Sequence, residues 1–194
     1  MKLSKVLFSV AMTVMMLFSV AVSASPKKLV LGFAQIGAES GWRTAETGSI
    51  KAAAKAQGIT LKFSDAQQKQ ENQIKALRSF IAQKVDVIAL APVVESGWDT
   101  VLQEAKKAKI PVIIVDRTIN VKDESLYATF VGSDFPLEGK NAAIEMAKLL
   151  NNTGNIVELQ GTVGSSAQVD RLKGFADEIA KYSNIKMLAS QSGD

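Results

Sequence analysis

The sequence predicts an α/β fold built on a doubly wound parallel sheet, and three observations carry that prediction. Short β-branched apolar runs recur from residue 29 onward, and amphipathic segments of helical period separate most of them. The apolar runs are hydrophobic at consecutive positions, as strands buried on both faces by covering helices require.

Residues 1–24 are read apart from the fold. Lys2 and Lys5 give a short basic start, Val6 to Val22 is uncharged and apolar, and Ala21-Val22-Ser23-Ala24 places small residues where a signal peptidase cuts. The expectation is a cleavable export signal leaving Ser25-Pro26 as the mature start. A membrane anchor is the alternative, because the run is almost long enough to cross a bilayer. Loss of Lys2 and Lys5 leaves 21 basic residues against 19 acidic ones. That balance is too slight to argue for nucleic acid or an anionic membrane as partner.

From there the strands are expected at Leu29 to Ala34, Ile59 to Phe63, Val87 to Ala91, Val112 to Val115, Tyr127 to Val131, Asn155 to Leu159 and Ile185 to Ala189. The connections through residues 42–57 and 70–83 have the length of right-handed βαβ crossovers. In the second, Ile74, Leu77, Phe80 and Ile81 share one helical face, with Lys75, Arg78 and Gln83 elsewhere. Val101, Leu102, Ala105 and Ala108 repeat the spacing, as do Ala143, Met146, Ala147 and Leu150. Gly58 is placed to cap the first helix in a left-handed conformation, and Pro111 fixes the start of the fourth strand. Five strands to Val131 suffice for one complete layer. The segment from Phe135 then leads to a fresh β-α-β stretch that either extends that sheet or opens a second unit.

Chemistry in such a fold gathers at the carboxyl ends of the strands. Here those ends carry Gln35 with Glu39 to Arg43, then Ser64 to Gln68, Ala91-Pro92, Asp116-Arg117, Ser133-Asp134 and Gln160 to Thr162. An edge this rich in amides, hydroxyls and charged side chains points to a small polar ligand. A phosphate loop is excluded. Four residues separate Gly32 from Gly37, but Ala38-Glu39 stands where Lys-Ser/Thr is required, and Glu39 has the wrong sign for a phosphate. No Gly-x-Gly-x-x-Gly follows the first strand, so a dinucleotide fingerprint is missing too. The chain has no cysteine and no histidine. It therefore has no disulfide or zinc-thiolate framework, and it lacks the commonest general base. No cofactor and no metal is expected.

Trp42 opens a helix among Glu39, Ser40 and Arg43. Its ring either stacks on the C–H face of a sugar or joins the core, and the sequence leaves both open. Trp98 is a second wall or a core residue on the same reasoning. Asp116 and Arg117 terminate an apolar strand. A carboxylate that accepts two hydroxyls beside a guanidinium fork suits a vicinal diol, but adjacent residues reach one ligand only where the backbone turns. Arg171, early in the helix after the sixth strand, reads by itself as a solvated helix arginine.

Read together, these residues resemble a family. Ile110-Pro-Val-Ile-Ile-Val-Asp-Arg117, Val157-Glu-Leu-Gln-Gly-Thr162 and Asp170-Arg-Leu-Lys-Gly-Phe175 resemble segments of periplasmic sugar-binding proteins of the ribose/galactose type, which serve ABC importers. Glu39 to Arg43, Asp65 to Ile74, Ala91 to Val94 and Ser96-Gly-Trp98 are similar to the galactofuranose-binding branch. The resemblance implies a type I periplasmic-binding-protein fold of two α/β lobes hinged around a sugar. The first lobe would span residues 25–133. Residues 134–194 would supply a helix near the hinge and part of an incomplete second lobe, since such proteins run well beyond the counterpart of Asp194.

The resemblance also implies Trp42 stacking on the ring, Arg43 clamping it, Asp116 and Arg117 bonding hydroxyls, and Arg171 reaching from the second lobe. Glu39, Gln68, Ser133 and Asp134 complete the candidate set. Ala91 stands where ribose binders carry asparagine, which argues against pentopyranose recognition of that type. The expected partners are a monosaccharide and an inner-membrane ABC permease, for a monomer in the periplasm that is not an enzyme. Alternatives on the same fold are a sugar-responsive regulator, a chemoreceptor-coupled binding protein and a non-functional truncated product. An acid–base enzyme using Asp65, Asp116 and Glu39 is a further rival. A lone β-α-β unit exposes apolar sheet and buries little core. Limited proteolysis is accordingly expected to cut residues 151–194 before residues 28–130, and equal protection of both stretches would contradict this.

Overall fold

The computed structural model describes residues 27–193, so the signal-like segment and the mature start lie outside the described residues. Among the described residues, seven strands and five α-helices follow one another, with an α-helix between successive strands except between the fourth and fifth. They are β1 (Val30–Gln35), α1 (Gly41–Ala56), β2 (Thr60–Asp65), α2 (Gln70–Ala82), β3 (Val87–Leu90), α3 (Asp99–Lys107), β4 (Val112–Asp116), β5 (Thr129–Gly132), α4 (Phe135–Leu149), β6 (Gly154–Gln160), α5 (Ser166–Ile179) and β7 (Ile185–Ser192). A 3-10 turn, Glu124–Leu126, precedes β5, so that strand begins at Thr129 and not at Tyr127, which caps the turn.

The first five strands form one parallel sheet in the order β2-β1-β3-β4-β5. The order reverses between β1 and β3, which makes their carboxyl ends the switch point where open α/β sheets bind ligands. On one face, α2 and α3 cover a core containing Leu77, Phe80, Ile88, Leu90, Trp98, Leu102 and Ile114. On the other face, Ile50 of α1 packs over a smaller cluster around Phe33, Ile36, Ala89 and Val93. The expected crossovers are therefore present. Gly58 takes φ +67°, the left-handed conformation its position demands.

The remaining strands do not extend this sheet. β6 and β7 pair in parallel with each other, with a register irregularity between Ile156 and Val157. Helices α4 and α5 meet through glycine. A Cβ on Gly139 would lie 2.1 Å from the carbonyl oxygen of Arg171, and one on Gly174 would lie 2.1 Å from that of Pro136. Only a hydrogen at these positions lets the two backbones approach so closely. On the sheet, Val157 and Leu159 are 69% and 80% exposed, and Leu188 is also open to solvent. The second unit thus carries apolar surface that the described residues leave uncovered. Among the described residues, no helix is long and apolar enough to cross a membrane.

The glycine contact yields a direct expectation. Gly174→Ala drives a methyl group into backbone that cannot move aside alone, so it should cost at least the ~1–3 kcal/mol typical of overpacking. Amide exchange should accelerate in α4 and α5, while the core of the five-stranded sheet keeps its protection.

Candidate functional site

The carboxyl edge of the first sheet is shaped by residues that bond backbone. Gln73 is fully buried on α2, and its amide nitrogen donates to the carbonyl of Ala91 at 2.5 Å. Its amide oxygen accepts from the N–H of Val93 at 2.9 Å. The loop after β3 is therefore pinned from beneath, at the switch point. Trp98 is 0% exposed, and its indole N–H donates to the carbonyl of Val94 at 2.8 Å. The structure separates the two tryptophans by burial. Trp98 is a core residue, whereas Trp42 is 58% exposed at the start of α1.

Ser40 caps α1, its hydroxyl accepting from the N–H of Arg43, and this sets Trp42 and Arg43 in the first turn. Arg43 is only 3% exposed. Its guanidinium donates to Glu39 at 3.2 Å, to Glu46 at 2.6 Å and to Asp116 of β4 at 2.9 Å. It also lies 4.8 Å from the centre of the Trp42 ring, within cation–π range. Burial works against its charge, but the hydrogen bonds and charges of Asp116 and Glu46 outweigh burial, so its pKa is raised.

Asp116 adopts φ +65°. That left-handed residue is the turn that two neighbouring side chains need if they are to serve one ligand. It brings the Asp116 carboxylate within 3.9 Å of the Arg117 guanidinium. Arg117 donates to the carbonyl of Val93 at 3.2 Å, so the loop pinned by Gln73 in turn holds Arg117. Burial lowers the pKa of Arg117, and the charges of Arg43 and Arg171 lower it further against the opposing pull of Asp116 and Glu39. Those four side chains share one electrostatic neighbourhood with Arg117.

The other candidates are more dispersed. Gln68 is exposed in a left-handed turn after β2, its N–H donating to the carbonyl of Ile36. Asp134 caps α4 by accepting from Leu137, and Ser133 is exposed beside it. Arg171 is half-exposed, paired with Glu138 at 2.8 Å and placed 4.4 Å from the centre of the Phe135 ring. Near it, burial and the charge of Asp134 raise the pKa of Asp170.

Two depressions take Trp42, Asp116, Ser133, Arg117 and Arg171 between them, while Glu39, Arg43, Gln68 and Asp134 line neither. A groove of ≈ 490 Å³ is lined by Trp42, Glu46, Asp116, Val131 and Ser133 among others. A pocket of ≈ 620 Å³ takes Arg117 together with Gln160, Thr162, Gln168 and Arg171. The two units also touch directly, the N–H of Glu95 donating to the carbonyl of Gly164 at 3.0 Å. Such an arrangement can hold a small polyhydroxylated molecule by one flat apolar face and several fixed hydrogen-bonding groups. Among the described residues, no group of acidic side chains is placed to hold a metal ion.

Glu46 and Gln73 escaped the sequence reading. A signal for Gln73 was present, since it shares its helical face with the buried Ala76, Leu77 and Phe80. A lone amide on an apolar stripe indicates a buried backbone partner. Glu46 offered no such signal, because its role depends on where α1 meets β4.

The periplasmic binding protein domain, as a family, matches residues 31–194. The galactofuranose-binding protein YtfQ of Escherichia coli (strain K12) is 58% identical over 167 residues, 86% of this chain and 52% of that protein. A crystal structure of a galactofuranose binding protein superposes with TM-score 0.84 at 58% identity, covering 86% of this chain and 56% of that one. The binding protein of the arabinose ABC transporter from Shewanella sp. ANA-3, bound to α- and β-L-arabinofuranose, gives TM-score 0.83 at 56% identity, covering 85% and 55%. This chain spans about half the length of the curated relatives it matches.

Gln73→Leu leaves the Val93 N–H buried without an acceptor. It is expected to destabilise the chain by about 1–3 kcal/mol in urea unfolding, with faster amide exchange concentrated in residues 91–98.

Proposed function

The chain belongs to the periplasmic binding protein family, and from that premise we propose that it is an exported solute-binding protein for a monosaccharide in the furanose form, galactofuranose or a close analogue. It takes the sugar at the carboxyl edge of the five-stranded sheet and delivers it to an ABC permease, without chemical change to the ligand. The observation that carries this reading is the exposed ring of Trp42 beside the Asp116–Arg117 turn. A flat apolar wall next to an acceptor and a donor fork suits a sugar, which has one C–H face and a rim of hydroxyls. The names of the relatives support the ring form, since the two solved structures described above are of a galactofuranose binding protein and of a protein holding arabinofuranose.

In this reading residues 25–133 form one lobe and residues 134–194 contribute to the facing one. Arg117 and Arg171, which line the same pocket, approach the ligand from opposite sides. Hydroxyl recognition by Asp116 and Arg117 requires no cofactor. The apolar segment of residues 1–24 supports export, and export places the protein where a permease can receive its cargo.

Calorimetric titration of the purified protein with D-galactose and L-arabinose should give saturable binding. Asp116→Ala should weaken it about 10–100-fold, the loss expected for hydrogen bonds to a charged group. Trp42→Ala should weaken it too, by removing the wall. A protein that binds no monosaccharide, or that converts the sugar into product, is not the one proposed.

A further inference from the structure

Asp116 holds a left-handed backbone that non-glycine residues adopt at a cost, so something must fix it there. A hydrogen bond reaches its carboxylate from another element, the Nη2 of Arg43 on α1 donating to Oδ2 at 2.9 Å. Arg43 in turn is too buried for water to orient it. Its shortest contact is to Glu46, where Nη1 donates to Oε2 at 2.6 Å.

The same Oε2 of Glu46 also accepts from Nε2 of Gln35 at 3.0 Å. Gln35 is fully buried at the end of β1, and both ends of its amide are assigned. Its oxygen accepts from the N–H of Ile36 at 2.9 Å, which leaves the nitrogen to donate to Glu46 and to the Thr47 hydroxyl at 2.9 Å. A chain of fixed hydrogen bonds therefore runs from the backbone of β1 through Gln35, Glu46 and Arg43 to Asp116. Glu39, by contrast, meets Arg43 at 3.2 Å from a more exposed position.

We propose that Glu46 is a positioning residue of the sugar site: it sets the Arg43 guanidinium, which holds the Asp116 carboxylate in its ligand-accepting orientation and fixes the charge beside the Trp42 ring. The proposal rests on the sugar-binding reading of Trp42 and Asp116. Charge supports it as well as geometry. Glu39, Glu46 and Asp116 face Arg43, with Arg117 beside them. Neutralising Glu46 shifts the balance toward the two arginines and frees Nη1 to compete for Asp116. A carboxylate drawn into two bonds with arginine has less freedom to accept from a hydroxyl.

The test uses Glu46→Gln and Glu46→Asp in the full chain, with Asp116→Ala as control. Three measurements are made: calorimetric affinity for D-galactose, the thermal midpoint, and the Trp42 part of the ligand-free fluorescence. The last is obtained by subtracting the same variant carrying Trp42→Phe. Glu46→Gln is expected to weaken D-galactose binding about tenfold or more, in line with loss of a charged hydrogen bond. It should also change Trp42 emission before any sugar is added, because Arg43 moves relative to the ring. Glu46→Asp keeps the charge and should recover part of both effects. Weakened binding with unchanged Trp42 emission would overturn the proposal, since Glu46 would then be a direct ligand contact. A fall in thermal midpoint with wild-type affinity and emission would overturn it in favour of a structural role. If Asp116→Ala loses binding while both Glu46 variants bind as wild type, the proposal fails and the sugar reading stands. If the unmodified protein binds no D-galactose yet Glu46→Gln shifts Trp42 emission, the positioning link stands and the sugar reading fails.

Discussion

The site depends on one buried cation. Arg43 lies on the first helix, and its bond to Asp116 spans 73 residues of sequence to reach the fourth strand. A buried guanidinium is tolerated only where its donors meet acceptors, and three carboxylates supply them. Because burial prevents water from substituting for any of them, the position of α1 over the sheet and the orientation of Asp116 are set by the same contact. The left-handed backbone at Asp116 lies where that contact reaches it, and the exposed Trp42 ring lies 4.8 Å from the same guanidinium.

A second support works from below the sheet edge. Gln73 bridges the switch point by bonding Ala91 and Val93, and Val93 receives Arg117. Trp98 anchors the next residue, Val94, from the core. Adjacent residues Asp116 and Arg117 are therefore held by separate networks, Asp116 through Arg43 of α1 and Arg117 through the Val93 carbonyl and Gln73. The first network is ionic and responds to charge, while the second consists of neutral groups bonded to backbone. This division explains how neighbouring side chains can line two different depressions and still stay within 3.9 Å of one another.

Much of the architecture was legible in sequence, and particular residues show why. Consecutive apolar positions in Val112 to Val115 mark a strand buried on both sides, and Gly58 marks a helix end, because both signals are local. The carboxyl-end location of the polar residues follows from strand order and direction alone. The apolar face of α2 packs as its spacing predicts: Leu77 and Phe80 are buried in the core and Ile74 and Ile81 lie partly buried against it. The buried stripe also includes Gln73, which a hydrophobicity pattern discounts because its amide satisfies buried backbone. The two tryptophans were undecided for a related reason: both sit in Ser-Gly-Trp, and only packing separates them.

By itself, the sequence determined the α/β class, the order of the strands and helices, and the exclusion of phosphate-loop, dinucleotide and zinc-thiolate chemistry. These depend on local periodicity or on residue types that are either present or absent. Only the tertiary structure decided that β6 and β7 form their own sheet, that Trp98 is core while Trp42 faces solvent, that Glu46 pairs with Arg43, and that Gln73 bonds the loop after β3. Each of those outcomes depends on which helix face meets which strand. Contacts such as Arg43–Asp116 and Gln73–Ala91 join residues far apart in the chain, and no local pattern records their distance.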